Sequence, residues 1–383
     1  MEYDIVCFSH LRWNFVFQRP QHLMTRFSLQ HRIFFIEEPV LDSDRYYFEA
    51  YKDESSDVTV ITPHLPPNLE SAQLITCQKT LIGKILDFYR IDKYVVWHYS
   101  PMSYAFSAHL RPLYRVYDCM DELSNFLFAP PALKENEAGL LEIADIVFTG
   151  GNSLYEAKRS AHNHIFSFPS SIDKAHFGKA RELRCSGEEE PIDQRRIGGP
   201  RLGFFGVIDE RLNSHMLREL AELRPNWQYI LIGPVVKIDP ASLPAAKNIH
   251  YLGAKPYGEL PRYLAGWDIA MMPFALNAST MFISPTKTPE YLAGGVPVVA
   301  PSVKDIVTPY FHLGLVAIAD TAEAFIEAAE QILAQGMAPG WQEKVDDFLF
   351  SMSWDRTVEE MARLIEAGIR HRATSIKNTA SYV

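Results

Sequence analysis

Residues 284–300 read SPTKTPEYLAGGVPVVA. Ser284, Pro285 and Thr286 have loop chemistry, Thr286 or Thr288 can cap a helix, and Pro289 suits its first turn. Gly294 and Gly295 end that helix, and the apolar run 297–300 resumes a buried strand. A helix feeding a strand with no polar alternation belongs to a parallel sheet covered on both faces. Ligands of such sheets sit beyond the carboxyl ends of the strands, and a helix start presented there binds phosphate. Lys287 adds positive charge at that place, and Glu290 can accept hydrogen bonds from ribose hydroxyls. The alternative is a Glu290 that only complements the helix dipole and a solvated Lys287.

The same alternation runs outward in both directions. Upstream, apolar runs at 201–208, 227–233, 248–252 and 268–273 read as strands, with helices at 214–223 and 257–265. Downstream come a strand at 315–319 and helices at 321–334 and 354–373. The first half repeats the pattern, with strands at 3–9, 32–37, 58–62, 94–99, 115–118, 145–149 and 164–168, and helices at 20–29 and 71–89. Residues 178–200 are polar, with three consecutive glutamates at 188–190 and Gly198-Gly199-Pro200 at the end, and read as a linker. The expected organisation is an α/β chain of two Rossmann-like domains facing across a cleft. It comprises an N-terminal domain 1–177, a linker 178–200, a C-terminal domain 201–353 and a closing helical segment 354–383.

At 383 residues, two domains is the natural reading. Lys plus Arg is 37 against 47 for Asp plus Glu, a net charge of −10, which argues against general nucleic-acid binding. Cys7, Cys77, Cys119 and Cys185 are scattered without a CxxC pair, so neither a disulfide framework nor a zinc ribbon is expected. Reduced thiols, no signal-peptide pattern at the start and no apolar run of about 18 residues fit a cytoplasmic protein. No GxGxxG follows a strand, and Walker-A, HExxH and GxSxG patterns are absent. Asp42-Ser43-Asp44 follows Glu37-Glu38-Pro39 in a loop, so its carboxylates read as solvated rather than as metal ligands.

The helix and strand at 284–300 resemble the nucleotide-binding signature of retaining glycosyltransferases of the two-Rossmann (GT-B) type, family 4 in particular. There a Glu at the place of Glu290 binds the donor ribose. The usual signature has a second Glu eight residues earlier, where this chain has Phe282. FFGVIDERLN at 204–213 resembles the first strand and loop of the family's C-terminal domain, which implies Gly206 at the donor and Arg211 as a displaced candidate for the diphosphate. A surface arginine paired with Asp209 or Glu210 is the competing reading. Residues 248–274, FPSSIDKAHF at 168–177 and SMSWDRTVEEM at 351–361 resemble further family segments, and the last is the start of a helix that crosses back onto the N-terminal domain in this fold.

The N-terminal half resembles the teichuronic-acid-type polysaccharide glycosyltransferases through SHLRWNFVFQRPQHL at 9–23 and YDCMDELSNF at 117–126. Both follow expected strands. The resemblance makes Asp118 the candidate for donor-sugar hydroxyls and places His10, Arg12, Arg19 and Asp121 among the substrate contacts. His98, after its own strand, is a contact or a satisfied core histidine, and Arg19 contacts substrate or pairs with a buried acid. Taken together, the resemblance implies sugar transfer with retention from a nucleotide-diphosphate donor, a UDP-sugar by frequency, to a glycan or lipid-linked saccharide in cell-surface polysaccharide biosynthesis. Lys287, Arg211 and Asp118 would carry the chemistry, with Glu290, Thr286, Thr288, Gly206 and Ser284 on the donor. No cofactor and no metal are expected. Arg12, Arg19, Arg26 and Arg32 raise contact with an anionic membrane face as a further partner. A sugar-nucleotide epimerase and a non-catalytic nucleotide-sugar-binding subunit remain open alternatives.

Overall fold

The computed structural model describes residues 2–187, 190–284 and 286–380. The chain divides into two compact units. One comprises Met1–Ser124, Phe128–Pro169 and Trp354–Val383, the other Asn125–Leu127 and Ser170–Ser353.

The first unit is an eight-stranded sheet. Its strands are β1 (Asp4–Phe8), β2 (Ile33–Ile36), β3 (Tyr47–Lys52), β4 (Val58–His64), β5 (Tyr94–His98), β6 (Tyr114–Cys119), β7 (Ile146–Thr149) and β8 (Ile165–Ser167). They lie in the order β3-β4-β2-β1-β5-β6-β7-β8, all parallel except β3 on β4. The strand order reverses between β1 and β5, the switch point at which such sheets bind ligands. Alternate residues serve opposite faces, as strand pleating requires. Ile5 and Cys7 join one core with Leu23 and Phe27, whereas Val6 and Phe8 join another with Leu81, Ile82 and Ile85 of the helix Ser71–Tyr89. Two apolar faces explain why these strands read as unbroken apolar runs.

The helix Trp354–Ala380 is counted with this unit. Met361, Ile365 and Ile369 enter its core at helical spacing, and Trp354 stacks on His22 with ring centroids 4.5 Å apart. No helix among the described residues is long and apolar enough to cross a membrane.

The second unit has strands β9 (Arg201–Phe205), β10 (Gln228–Ile232), β11 (Ile249–Tyr251), β12 (Ile269–Met271), β13 (Val298–Ala300) and β14 (Ala317–Ile318). Their order is β11-β10-β9-β12-β13-β14, all parallel. This is the doubly wound Rossmann order, with its switch point between β9 and β12.

Two readings need correction. The described part of 178–200 is not a linker. Helices Lys174–Ser186 and Ile192–Arg195 belong to the second unit, where Phe177 and Ala180 are core residues and Arg201 binds Glu190 at 2.6 Å. Glu188 and Glu189 lie outside the described residues. The chain changes unit at Pro169–Ser170 instead. Second, β3 was unforeseen, because an edge strand with nearly every side chain solvated carries no apolar run. The four arginines weighed for a membrane surface are each paired with a carboxylate: Arg12 with Glu37, Arg19 with Asp118, Arg26 with Asp355 and Arg32 with Asp4.

Of these pairs only Arg19–Asp118 is fully buried, with exposures of 2% and 0%. Removing one partner of a buried pair strands the other charge, at a cost of about 3–5 kcal/mol. Arg19→Met is therefore expected to destabilise the first unit by about that amount in urea denaturation, with Arg19→Met plus Asp118→Leu recovering much of it.

Candidate active site

The candidate residues collect at the carboxyl ends of the strands in each unit. In the second unit the site grows from glycines that end adjacent strands. Gly206 follows β9 at φ 149°, and Gly233 follows β10 at φ 151°, a region that side chains rarely enter. Gly206 N–H donates to Ile232 O at 2.8 Å, and Gly233 N–H donates to Gly253 O at 2.9 Å. A Cβ on Gly233 would come within 1.8 Å of the Gly206 carbonyl oxygen. Only glycines let these strand ends lie so close.

The helix Lys287–Ala293 starts beside them. A Cβ on Gly206 would lie 2.5 Å from Lys287 Cε and 3.4 Å from its Nζ, so the lysine crosses directly over the end of β9. Lys287 Nζ donates to Thr286 Oγ1 at 3.1 Å. The expected cap is absent: Thr286, at the N-cap, has helical dihedrals and makes no side-chain cap bond. Thr288 is fully buried, and its hydroxyl finds no partner among the described residues. Ser284 is buried too, and its Oγ accepts Ser170 N–H at 3.1 Å. Glu290 is half-buried in the first turn. Burial pushes its carboxyl up to about 8, with Lys287 drawing it the other way.

Lys287, Thr286, Thr288, Glu290 and Gly206 thus come together. Arg211 behaves as its competing reading anticipated. Its guanidinium grips the buried Asp209 through Nε at 2.9 Å and Nη2 at 2.7 Å, and lies over the Phe126 ring at 5.3 Å.

In the first unit, Ser9, Tyr99 and Met120 follow the adjacent parallel strands β1, β5 and β6, which brings the loops bearing His10, Arg12 and Asp121 to one end of the sheet. Trp13 anchors the first of these loops. Its N–H donates to Glu37 at 2.7 Å, its indole to Asp53 at 2.9 Å, and Gln21 donates to its carbonyl at 2.7 Å. Arg12 also binds Glu37, at 2.9 Å, but keeps 40% of its side chain exposed. His10 and Asp121 are half-buried.

Arg19 and His98 follow their competing readings, a buried ion pair and a core histidine, and Asp118 is the acid that Arg19 holds. Arg19 Nε and Nη2 hold both oxygens of Asp118 at 2.9–3.1 Å, and Nη1 donates to Phe168 O at 2.7 Å. Burial pushes the Asp118 carboxyl up while Arg19 draws it down. Both side chains are buried, and their polar atoms are engaged with one another and with Phe168 O. His98 is wholly buried between Arg115 Nη1 at 3.0 Å and Ser103 Oγ at 2.6 Å. Burial lowers its pKa well below the usual value, so it is a neutral core histidine.

Sequence reasoning missed a second buried network beside the 117–126 motif. Lys158 binds Glu122 at 2.7 Å and Glu137 at 2.8 Å, and Tyr117 donates to Glu137 at 2.7 Å. Lys158 sits on the helix Asn152–Lys158, which the strand-led reading left unassigned, and nothing in its local sequence marks it out.

The raised Glu290 pKa has a sign that can be tested. The folded protein keeps this proton up to about 8, whereas the unfolded chain releases it near the ordinary value of 4.5. Between those limits the folded state binds more protons, so the Glu290 contribution to stability falls as pH rises. Wild type should lose melting temperature from pH 5 to 8 relative to Glu290→Gln, and parallel melting curves would contradict this.

Comparison with known proteins joins these observations. Residues 199–335 match the family model for glycosyl transferases group 1. A putative teichuronic acid biosynthesis glycosyltransferase of Bacillus subtilis (strain 168), TuaH, is 26% identical over 258 residues, covering 63% of this chain and 64% of that protein. The match thus spans slightly under two thirds of that relative's length. Among solved structures, HepE of Anabaena in complex with UDP and glucose superposes at a TM-score of 0.67 with 12% identity, covering 95% of this chain and all of that one. A structure described as trehalose-6-phosphate from E. coli bound with UDP-2-fluoro glucose superposes at 0.66 with 10% identity, covering 94% and 98%. These likenesses establish the fold. Residues 199–335, on the second Rossmann-like unit, thus match a glycosyl transferases group 1 domain, and the chain shares the two-Rossmann (GT-B) fold with these solved structures.

Proposed function

We propose that this chain transfers a sugar, with retention, from a UDP-sugar to a glycan or lipid-linked saccharide during cell-surface polysaccharide synthesis. The observation that carries the reading is Lys287 crossing Gly206 at the switch point of the second sheet, with Glu290 one helical turn on. A departing nucleoside diphosphate develops negative charge, and a fixed ammonium beside bare backbone stabilises it with no reorganisation. Glycine at 206 lets the phosphate approach the strand end, and Glu290 accepts hydrogen bonds from the ribose. The buried Thr288 hydroxyl gives the donor a further polar partner. Arg211 is engaged by Asp209, so the reading assigns the diphosphate to Lys287. The choice of uridine is supported by the ligands of the two solved proteins of like fold, and the choice of polysaccharide by the relative from Bacillus.

The acceptor is assigned to the first unit, at the loops that follow β1 and β6. The Trp13 anchors hold the first loop rigid while leaving Arg12, Asn14, Phe15 and Phe17 at least partly exposed, a mixture suited to a saccharide.

Thermal melts against UDP, GDP, TDP, ADP and CDP test the donor side. A nucleotide at 100 times its dissociation constant should stabilise by about 2.7 kcal/mol. The expected result is a shift with UDP that Lys287→Ala and Glu290→Ala each weaken by about tenfold or more in affinity, the scale of a lost charged hydrogen bond. No shift with any diphosphate would contradict the reading. On the reaction side, turnover of UDP-sugar should require added acceptor; acceptor-independent epimerisation would replace transfer as the activity.

A further inference from the structure

Pairing between β9 and β12 stops at Gly203 and Ala270, two residues before β9 ends. On its other side β9 stays paired with β10 through Phe205 and Ile232, and Gly206 N–H bonds back to Ile232 O. Successive residues of a strand point their backbone groups to opposite sides. The N–H and C=O of Phe205 therefore face the β12 side, beyond the end of that ladder. Buried backbone groups need partners. Tyr291 supplies both: Phe205 N–H donates to its hydroxyl at 3.1 Å, and the hydroxyl lies 3.4 Å from Phe205 O.

Tyr291 is wholly buried, and its ring packs edge-on against Phe205 at 4.7 Å. Burial raises its pKa well above the ordinary tyrosine value, so the hydroxyl keeps the proton it gives to Phe205 O. Tyr291 also stands four residues after Lys287 on the same helix, hence on the same face. The helix thus meets the end of β9 twice: Tyr291 bonds to Phe205, and Lys287 Cε occupies the space beside Gly206 that a Cβ would take.

We propose that Tyr291 is a positioning residue for the donor diphosphate. Its hydroxyl sets the end of β9 against the helix, and so fixes where the Lys287 ammonium sits over Gly206. This rests on the nucleotide-sugar reading above. Tyr291 touches neither the nucleotide nor the sugar; it acts through the strand end. Its loss should therefore weaken ligands that carry the diphosphate and spare those that lack it.

The test is calorimetric titration of UDP and of uridine into wild type and Tyr291→Phe, with Lys287→Ala and the double variant alongside. Tyr291→Phe is expected to weaken UDP by about tenfold, the scale of one misplaced charged contact, and to leave uridine within about twofold. In the Lys287→Ala background the same substitution should cost UDP little, since the group it positions is gone. Equal loss of UDP and uridine, no loss of either, or full additivity with Lys287→Ala would each overturn the proposal. Absence of UDP binding to wild type would overturn the donor reading and this proposal with it. Should Tyr291→Phe not fold, hydrogen exchange of the wild type decides. UDP should slow exchange in the peptides around 203–206 and 287–291 and uridine should not; equal protection by the two would overturn the proposal.

Discussion

A parallel strand that outruns its neighbour leaves backbone donors and acceptors with no ladder to join, and they must be met by something else. In the second unit β9 outruns β12, and a tyrosine hydroxyl from the following helix meets the exposed pair. That constraint ties the helix Lys287–Ala293 to one position relative to the strand ends. Tyr291 holds Phe205, so Lys287 falls over Gly206, and Gly206 and Gly233 must then be glycines because backbone and lysine fill the space a Cβ would take. The arrangement on which the proposed diphosphate site rests, an ammonium laid over side-chain-free backbone at a switch point, follows from how one strand end is satisfied.

The first unit solves a different problem, that of ionic groups inside a sheet flanked by two apolar cores. Each is paired rather than left to water. Asp118 receives a forked arginine, Glu122 and Glu137 share Lys158, and Glu37 gathers Arg12, Thr62 and the Trp13 N–H. A largely buried carboxylate with such partners fixes the loops that leave the strand ends. The residues left at the surface of those loops are carried on a frame that the buried pairs hold still.

The sheet was legible because parallel strands covered on both faces print themselves as short apolar runs, and every such run in both halves became a strand. β3 left no such print, since its side chains are solvated. The stretch 178–200 looked like a linker because glutamates and arginines dominate it, yet Arg201 and Arg184 use those charges and nearby carbonyls to pin it down. Periodicity cannot show that a charged segment has found partners far along the chain. The same limit governed the sites. The 284–300 signature is local, so Lys287, Glu290 and Gly206 could be named from sequence. Asp118 and Arg19 are 99 residues apart, and their position after or near strands suited a substrate contact as well as it suited a buried pair. Tyr291 sat inside the signature without attracting notice, because its role depends on where β12 stops.

The most direct test of the account is a crystal structure of the protein grown with UDP. The account predicts the diphosphate against Gly206 with an oxygen within hydrogen-bonding distance of Lys287 Nζ, the ribose hydroxyls on Glu290, and Tyr291 still bonded to Phe205. A nucleotide bound elsewhere, or bound there with Lys287 turned away from the phosphates, would contradict it.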